Sequence, residues 1–103
     1  MMLTLHREPS ASLIRLEGNF TFESHTAFRS ATQELLDDPG TEQITLDLSG
    51  LHYMDSSSLG MLLVLREKTE EKGIQVVLVK PSPAVMGILK IVQFGKLFEI
   101  REG

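Results

Sequence analysis

Asp55-Ser56-Ser57-Ser58 sets a carboxylate directly before three hydroxyls, and an apolar run from Leu59 to Leu65 follows at once. Such a cluster has three chemical uses: a nucleophile with its base, a helix cap, or an acceptor of a phosphoryl group. For the first use, His52, Asp55 and Ser56 supply the residue types of a hydrolase triad. They lie too close along the chain to converge as nucleophile, base and orienter, and no G-x-S-x-G elbow surrounds any serine. Other enzyme signatures are missing too. Lys90 and Lys96 follow no Gly-rich phosphate loop, and there is no G-x-G-x-x-G. His6, His25 and His52 have no ligand spacing, Asp37-Asp38 leads into a Pro39-Gly40 turn, and the chain contains no Cys. No metal, no cofactor and no enzymatic activity are therefore expected.

The other two uses both follow if a helix begins at the cluster. A hydroxyl that caps a helix contributes about 1 kcal/mol, and a single cap residue meets that need, so three hydroxyls exceed it. A helix N-terminus also presents free N–H groups and a positive dipole end, which accommodate a phosphate without refolding. A phosphoserine there would add roughly −1.5 to −2 charge beside Asp55. At about 5 Å and an effective dielectric near 20, each added unit charge repels that carboxylate by roughly 3 kcal/mol, less where water screens it. An interface fitted to a neutral hydroxyl that lost about 4 kcal/mol would release its partner almost a thousandfold. The chemistry thus suggests a switch acting on binding.

The elements that must position this cluster can be read from the rest of the chain. Its 103 residues carry 14 acidic and 10 basic side chains, a net charge of −4, with 42% apolar residues. This is the size of one domain with a core of its own. The acidic balance argues against nucleic acid and anionic membrane surfaces as partners. No signal peptide is legible at the start, and the longest apolar stretch, Met61 to Leu65, falls far short of the roughly 20 residues of a membrane span, so a cytoplasmic protein is expected.

Thr4 to Glu8 and Leu13 to Glu17 alternate apolar and polar residues around the turn Pro9-Ser10-Ala11-Ser12, which predicts a hairpin. Gly18 should end the second strand, leaving Asn19 to Glu23 as a loop whose Phe20 and Phe22 either cap the core or face a partner. Ala27, Phe28, Ala31 and Leu35 predict a helix from His25 to about Asp37 with Ser24 as N-cap. Ile44, Leu46 and Leu48 predict a central strand. A second helix should start at the serines, one of which caps it, and run to about Lys72 before Gly73. Ile74 to Val79 reads as a strand buried on both faces. Ser82-Pro83 opens a third helix that should reach about Phe94, with more apolar residues than one face needs, and Leu97 to Arg101 makes a last strand. The order ββαβαβαβ implies an α/β fold with a mixed, mostly parallel sheet flanked by helices.

Leu46-Asp47-Leu48-Ser49, Met54-Asp55-Ser56-Ser57-Ser58-Leu59-Gly60 and Ser82-Pro83-Ala84-Val85 resemble the motifs of bacterial anti-sigma-factor antagonists of the STAS domain type. The resemblance spans residues 1–103 as a single STAS domain. It implies a regulator without enzymatic activity that binds an anti-sigma factor or serine kinase while unphosphorylated and lets it go once phosphorylated. A PP2C-type phosphatase would restore binding. Carried onto this chain, the phosphoacceptor is Ser56, with Ser57 as the lesser candidate. Asp55, Ser56, Ser57, Ser58 and Leu59 would form the partner surface together with Phe20, Thr21 and Phe22.

Two departures from the family pattern stand out. The motif Gly is Ser58 here, which blurs which serine is used. Thr21 stands where many members carry an Asp, while Phe20, Phe22 and His25 resemble a G-x-F-x-F variant found in regulators linked to response-regulator phosphatases. The alternative within the same family is a constitutive subunit docked on the ATPase of a transporter and never phosphorylated.

Overall fold

The computed structural model describes residues 2–102, and its elements follow the expected order ββαβαβαβ. They are β1 (Thr4–Glu8), β2 (Leu13–Phe20), α1 (His25–Asp37), β3 (Gln43–Met54), α2 (Ser56–Lys72), β4 (Gln75–Val79), α3 (Pro83–Ile91) and β5 (Glu99–Arg101). The tight turn at Pro9–Ala11 makes β1 and β2 antiparallel, whereas each later strand returns through a helix and pairs in parallel. The sheet order is β1-β2-β3-β4-β5. Each crossover advances in the same direction, so right-handed connections bring every helix to one face.

That face is set by strand parity. Ile14, Leu46, Leu78 and Ile100 lie in one row across four strands. With Ile44 and Leu48 they join Phe28 and Leu35 of α1, Leu62 and Leu65 of α2, and Val85 and Leu89 of α3 in one apolar cluster. The opposite face is polar: Arg15, Thr45 and Asp47 project there, and Glu17 accepts contacts from His6 at 2.6 Å and Arg15 at 3.4 Å. β4 is the predicted exception to alternation, with Val76, Val77 and Leu78 all buried.

Both long strands outrun their predicted ends. β2 continues through Gly18, which adopts φ 97°, to Phe20. β3 continues to Met54 because it takes up an extra residue at two irregularities, between the pairs Arg15↔Asp47 and Glu17↔Gly50 and again between Gly18↔Leu51 and Asn19↔Tyr53. These bulges break the period of two, so Leu48, Leu51 and Met54 are all buried at a spacing that does not read as a strand. Their consequence is positional: they carry the end of β3 to the end of β2, where the Asp55 N–H donates to the Phe20 carbonyl at 3.2 Å.

Smaller differences have local causes. Ser24 stands at the N-cap position of α1, but its side chain makes no capping bond, and Ala27 faces solvent. α3 stops at Ile91 because Gln93 turns left-handed at φ 58°, leaving Phe94–Lys96 as a separate 3₁₀ turn. Phe98 belongs to the core, 5.4 Å from the Phe94 ring, which shortens β5 to Glu99–Arg101. Of the surplus apolar residues of α3, Val85 and Leu89 are buried while Ile91 is 82% exposed.

Candidate functional site

Asp55, not a serine, caps α2. Its backbone is extended, its Oδ1 accepts from the Ser58 N–H at 2.8 Å, and its Oδ2 accepts from the Phe22 N–H at 3.1 Å. One carboxylate therefore fixes both the start of the helix and the loop leaving β2. Burial alone would raise the Asp55 carboxyl. The N–H groups of Ser58 and Phe22, helped by the Ser57 N–H, outweigh it and hold the group below its ordinary carboxylate value.

The three serines then separate by helical geometry, since successive residues point about 100° apart around the axis. Ser56 and Ser57, in the first turn, are exposed. Ser58 is 0% exposed, and its hydroxyl donates to the Asp55 carbonyl at 2.8 Å. This corrects the expectation that Ser58 forms part of the partner surface: its side chain faces inward and completes the cap. Leu59 is half-buried against the core.

Phe20 and Phe22 divide in the same way. Phe20 is fully buried, its ring 4.7 Å from that of Phe28, so its placement on the partner surface is also corrected. It stays on the even-numbered, inward parity of β2, which the longer strand preserves. Phe22 is 69% exposed beside the serines. Thr21 is half-buried between them, and its carbonyl accepts the Ser24 N–H at 2.9 Å in the turn that carries Phe22.

Ser82 and Pro83 start α3 as their types predict. The Ser82 Oγ accepts from the Val85 N–H at 3.4 Å and donates to the Leu51 carbonyl at 2.7 Å, tying α3 to the bulged end of β3. The S-P-A-V motif is thus a strut for the site.

One feature was not drawn from the sequence. A groove of about 570 Å³ runs between α1 and α2 away from the serines, with Ser57 at one end and Lys68 at the other. Its visible signal was the unbroken apolar stretch Met61 to Leu65, which covers every side of a helix and cannot all be buried: Leu62 and Leu65 are, whereas Leu63 and Val64 are exposed.

Three comparisons bear on this arrangement. The family model described as the STAS domain matches residues 2–103. A STAS-domain-containing protein of Pseudomonas aeruginosa strain UCBPP-PA14 is 39% identical over 87 residues, covering 84% of each chain. Among solved structures, a candidate anti-sigma factor antagonist of Thermotoga maritima superposes with a TM-score of 0.79 at 21% identity, covering 98% of this chain and 86% of that one. The anti-sigma factor antagonist SpoIIAA in its unphosphorylated form gives 0.70 at 20% identity, covering 96% and 86%. The Bacillus cell fate determinant SpoIIAA in its phosphorylated form gives 0.67 at 17%, covering 96% and 90%.

Proposed function

This chain belongs to the STAS domain family, and from that premise we propose that it is a phosphorylation-switched antagonist of an anti-sigma factor. In the unmodified state the surface formed by Asp55, Ser56, Ser57 and Phe22 binds an anti-sigma factor that is itself a serine kinase. Phosphorylation of Ser56 ends that binding, and a PP2C-type phosphatase renews it. The serines serve as a docking and modification site, not as nucleophiles, and the protein works in the cytoplasm.

The observation that carries this reading is the division of labour at the start of α2. Asp55 and Ser58 satisfy the cap, which leaves the Ser56 hydroxyl exposed and free of any structural duty. A phosphate on Ser56 would lie in the first turn, where N–H groups and the helix dipole favour negative charge, so the fold would tolerate it. The partner would meet roughly −1.5 to −2 of new charge where it had met a hydroxyl.

The test is to express tagged Ser56→Ala and Ser56→Asp variants in the native host and compare the proteins each retains. The Ala variant should keep a stoichiometric partner that the Asp variant loses. Equal retention by both would refute the switch, and if the shared partner were a transporter ATPase, the domain would be its constitutive subunit.

A further inference from the structure

We propose that the α1–α2 groove docks an amphipathic helix of a protein partner, one whose apolar ridge is flanked by carboxylates. The groove has an apolar floor of Phe28, Met61 and Leu65, with the exposed Phe22 at its mouth and Val64, 51% exposed, on its wall. On α2 the lining residues Ser57, Gly60, Met61, Val64 and Lys68 recur at three- and four-residue spacing. That stripe spans about 16 Å at 1.5 Å per residue, the length over which a docked helix presents anchors at i, i+3 or i+4, and i+7. Above Gly60 the space is open, because a Cβ built there meets nothing within 4 Å.

Charge decides the kind of helix. The chain carries a net charge of −4, yet the groove is lined by His25, Arg29 and Lys68 and by no carboxylate. Among the described residues, Arg29 is the one arginine outside the ion pairs that Arg7, Arg15, Arg66 and Arg101 make with Glu, and Lys68, like the other lysines, takes part in none. Two cations outside any ion pair, on opposite walls of an apolar trough that no carboxylate lines, complement an acidic flank on each side of an apolar ridge. The inference extends the docking surface of the proposed function beyond the serines, and it holds for the unmodified protein.

The experiment titrates isotope-labelled protein with a synthetic peptide of about 15 residues, leucines at i, i+3, i+4 and i+7 and glutamates on the flanks, and follows amide shifts. A matched peptide with lysine flanks is the control. Shifts should concentrate at Arg29, Gly60, Met61, Val64 and Lys68, and the lysine peptide should bind at least about tenfold more weakly, the equivalent of about 1.4 kcal/mol. Gly60→Leu, which fills the groove, and the double variant Arg29→Glu with Lys68→Glu should each weaken the acidic peptide at least about tenfold while keeping dispersed, folded spectra. Equal affinity for both peptides, shifts centred on the exposed Ile91 and Leu97 instead, absence of binding, or a homodimer abolished by Val64→Glu would overturn the proposal. A negative result here together with a phosphorylated Ser56 in the host would remove the groove and leave the switch standing.

Discussion

The Asp55 Oδ2 lies 3.1 Å from the Phe22 nitrogen, so the residue that caps α2 also holds the loop that presents the most exposed aromatic of the site. Truncating Asp55 should therefore do two things at once. Asp55→Ala removes the cap and should lower stability by about 1–2 kcal/mol in denaturant unfolding. It should also release Phe22, read as broadened amide signals at Thr21 to Ser24.

The same carboxylate predicts a pH dependence. Its folded value is depressed, so the stability it contributes is fully present above the ordinary value near 3.8 and is lost as the pH falls through the lower folded value. Asp55→Asn keeps an acceptor for the Ser58 N–H but cannot ionise. The stability difference between wild type and Asp55→Asn should be constant from neutral pH down to about 5 and shrink below about 4. A constant gap through the acid limb would contradict the hydrogen-bonding pattern described for Asp55.

The serines should respond to charge very differently. Ser56→Asp places an exposed carboxylate in the first turn of α2, where the helix dipole and the screening by water offset its repulsion from Asp55, and should change stability by less than about 1 kcal/mol in either direction. Ser58→Asp would bury an unpaired charge at a fully enclosed position and should cost more than about 3 kcal/mol, enough to abolish cooperative thermal unfolding in a marginal domain. Ser58→Ala, which forfeits one hydrogen bond, should cost only about 1 kcal/mol.

Two phenylalanines two residues apart should separate structure from binding. Phe20→Ala empties a closed site packed on Phe28 and should cost about 3–5 kcal/mol. Phe22→Ala should fall within about 0.5 kcal/mol of wild type in stability while weakening the partner.

These contrasts show where sequence reasoning reached and where it stopped. The limits of α2 were legible because capping types, Asp and Ser, precede an apolar run and Gly73 follows it in the left-handed conformation at φ 69°. The inward turn of Ser58 was not legible. Three like residues in a row carry no sign of which one meets the core, and only the choice of Asp55 as cap decides it. The length of β3 was hidden by its bulges, since Leu48, Leu51 and Met54 imitate neither a strand nor a helix period. Strand order and the α1–α2 groove are products of how whole elements pack, and no single segment records them.

Two glycines check that packing. At Gly50, beside the first bulge, an added Cβ would lie 2.7 Å from the Glu17 Cγ and 3.3 Å from the Leu16 carbonyl oxygen. Gly60 has open space at the same position. Gly50→Ala should therefore destabilise the domain by about 1–3 kcal/mol, whereas Gly60→Ala, in a helix interior, should stabilise it by about 0.5–1 kcal/mol. Thermal midpoints would read both signs in one experiment.

In the proposed function Ser56 is a phosphoacceptor set apart from the helix cap. The most direct test is the intact mass of the protein purified from its own host, growing and stressed, followed by peptide mapping of residues 51–66. A single phosphoryl group is expected on Ser56 in one growth condition, with Ser58 unmodified in all. An unphosphorylated chain in every condition, or a phosphoryl group placed on Ser58, would contradict it.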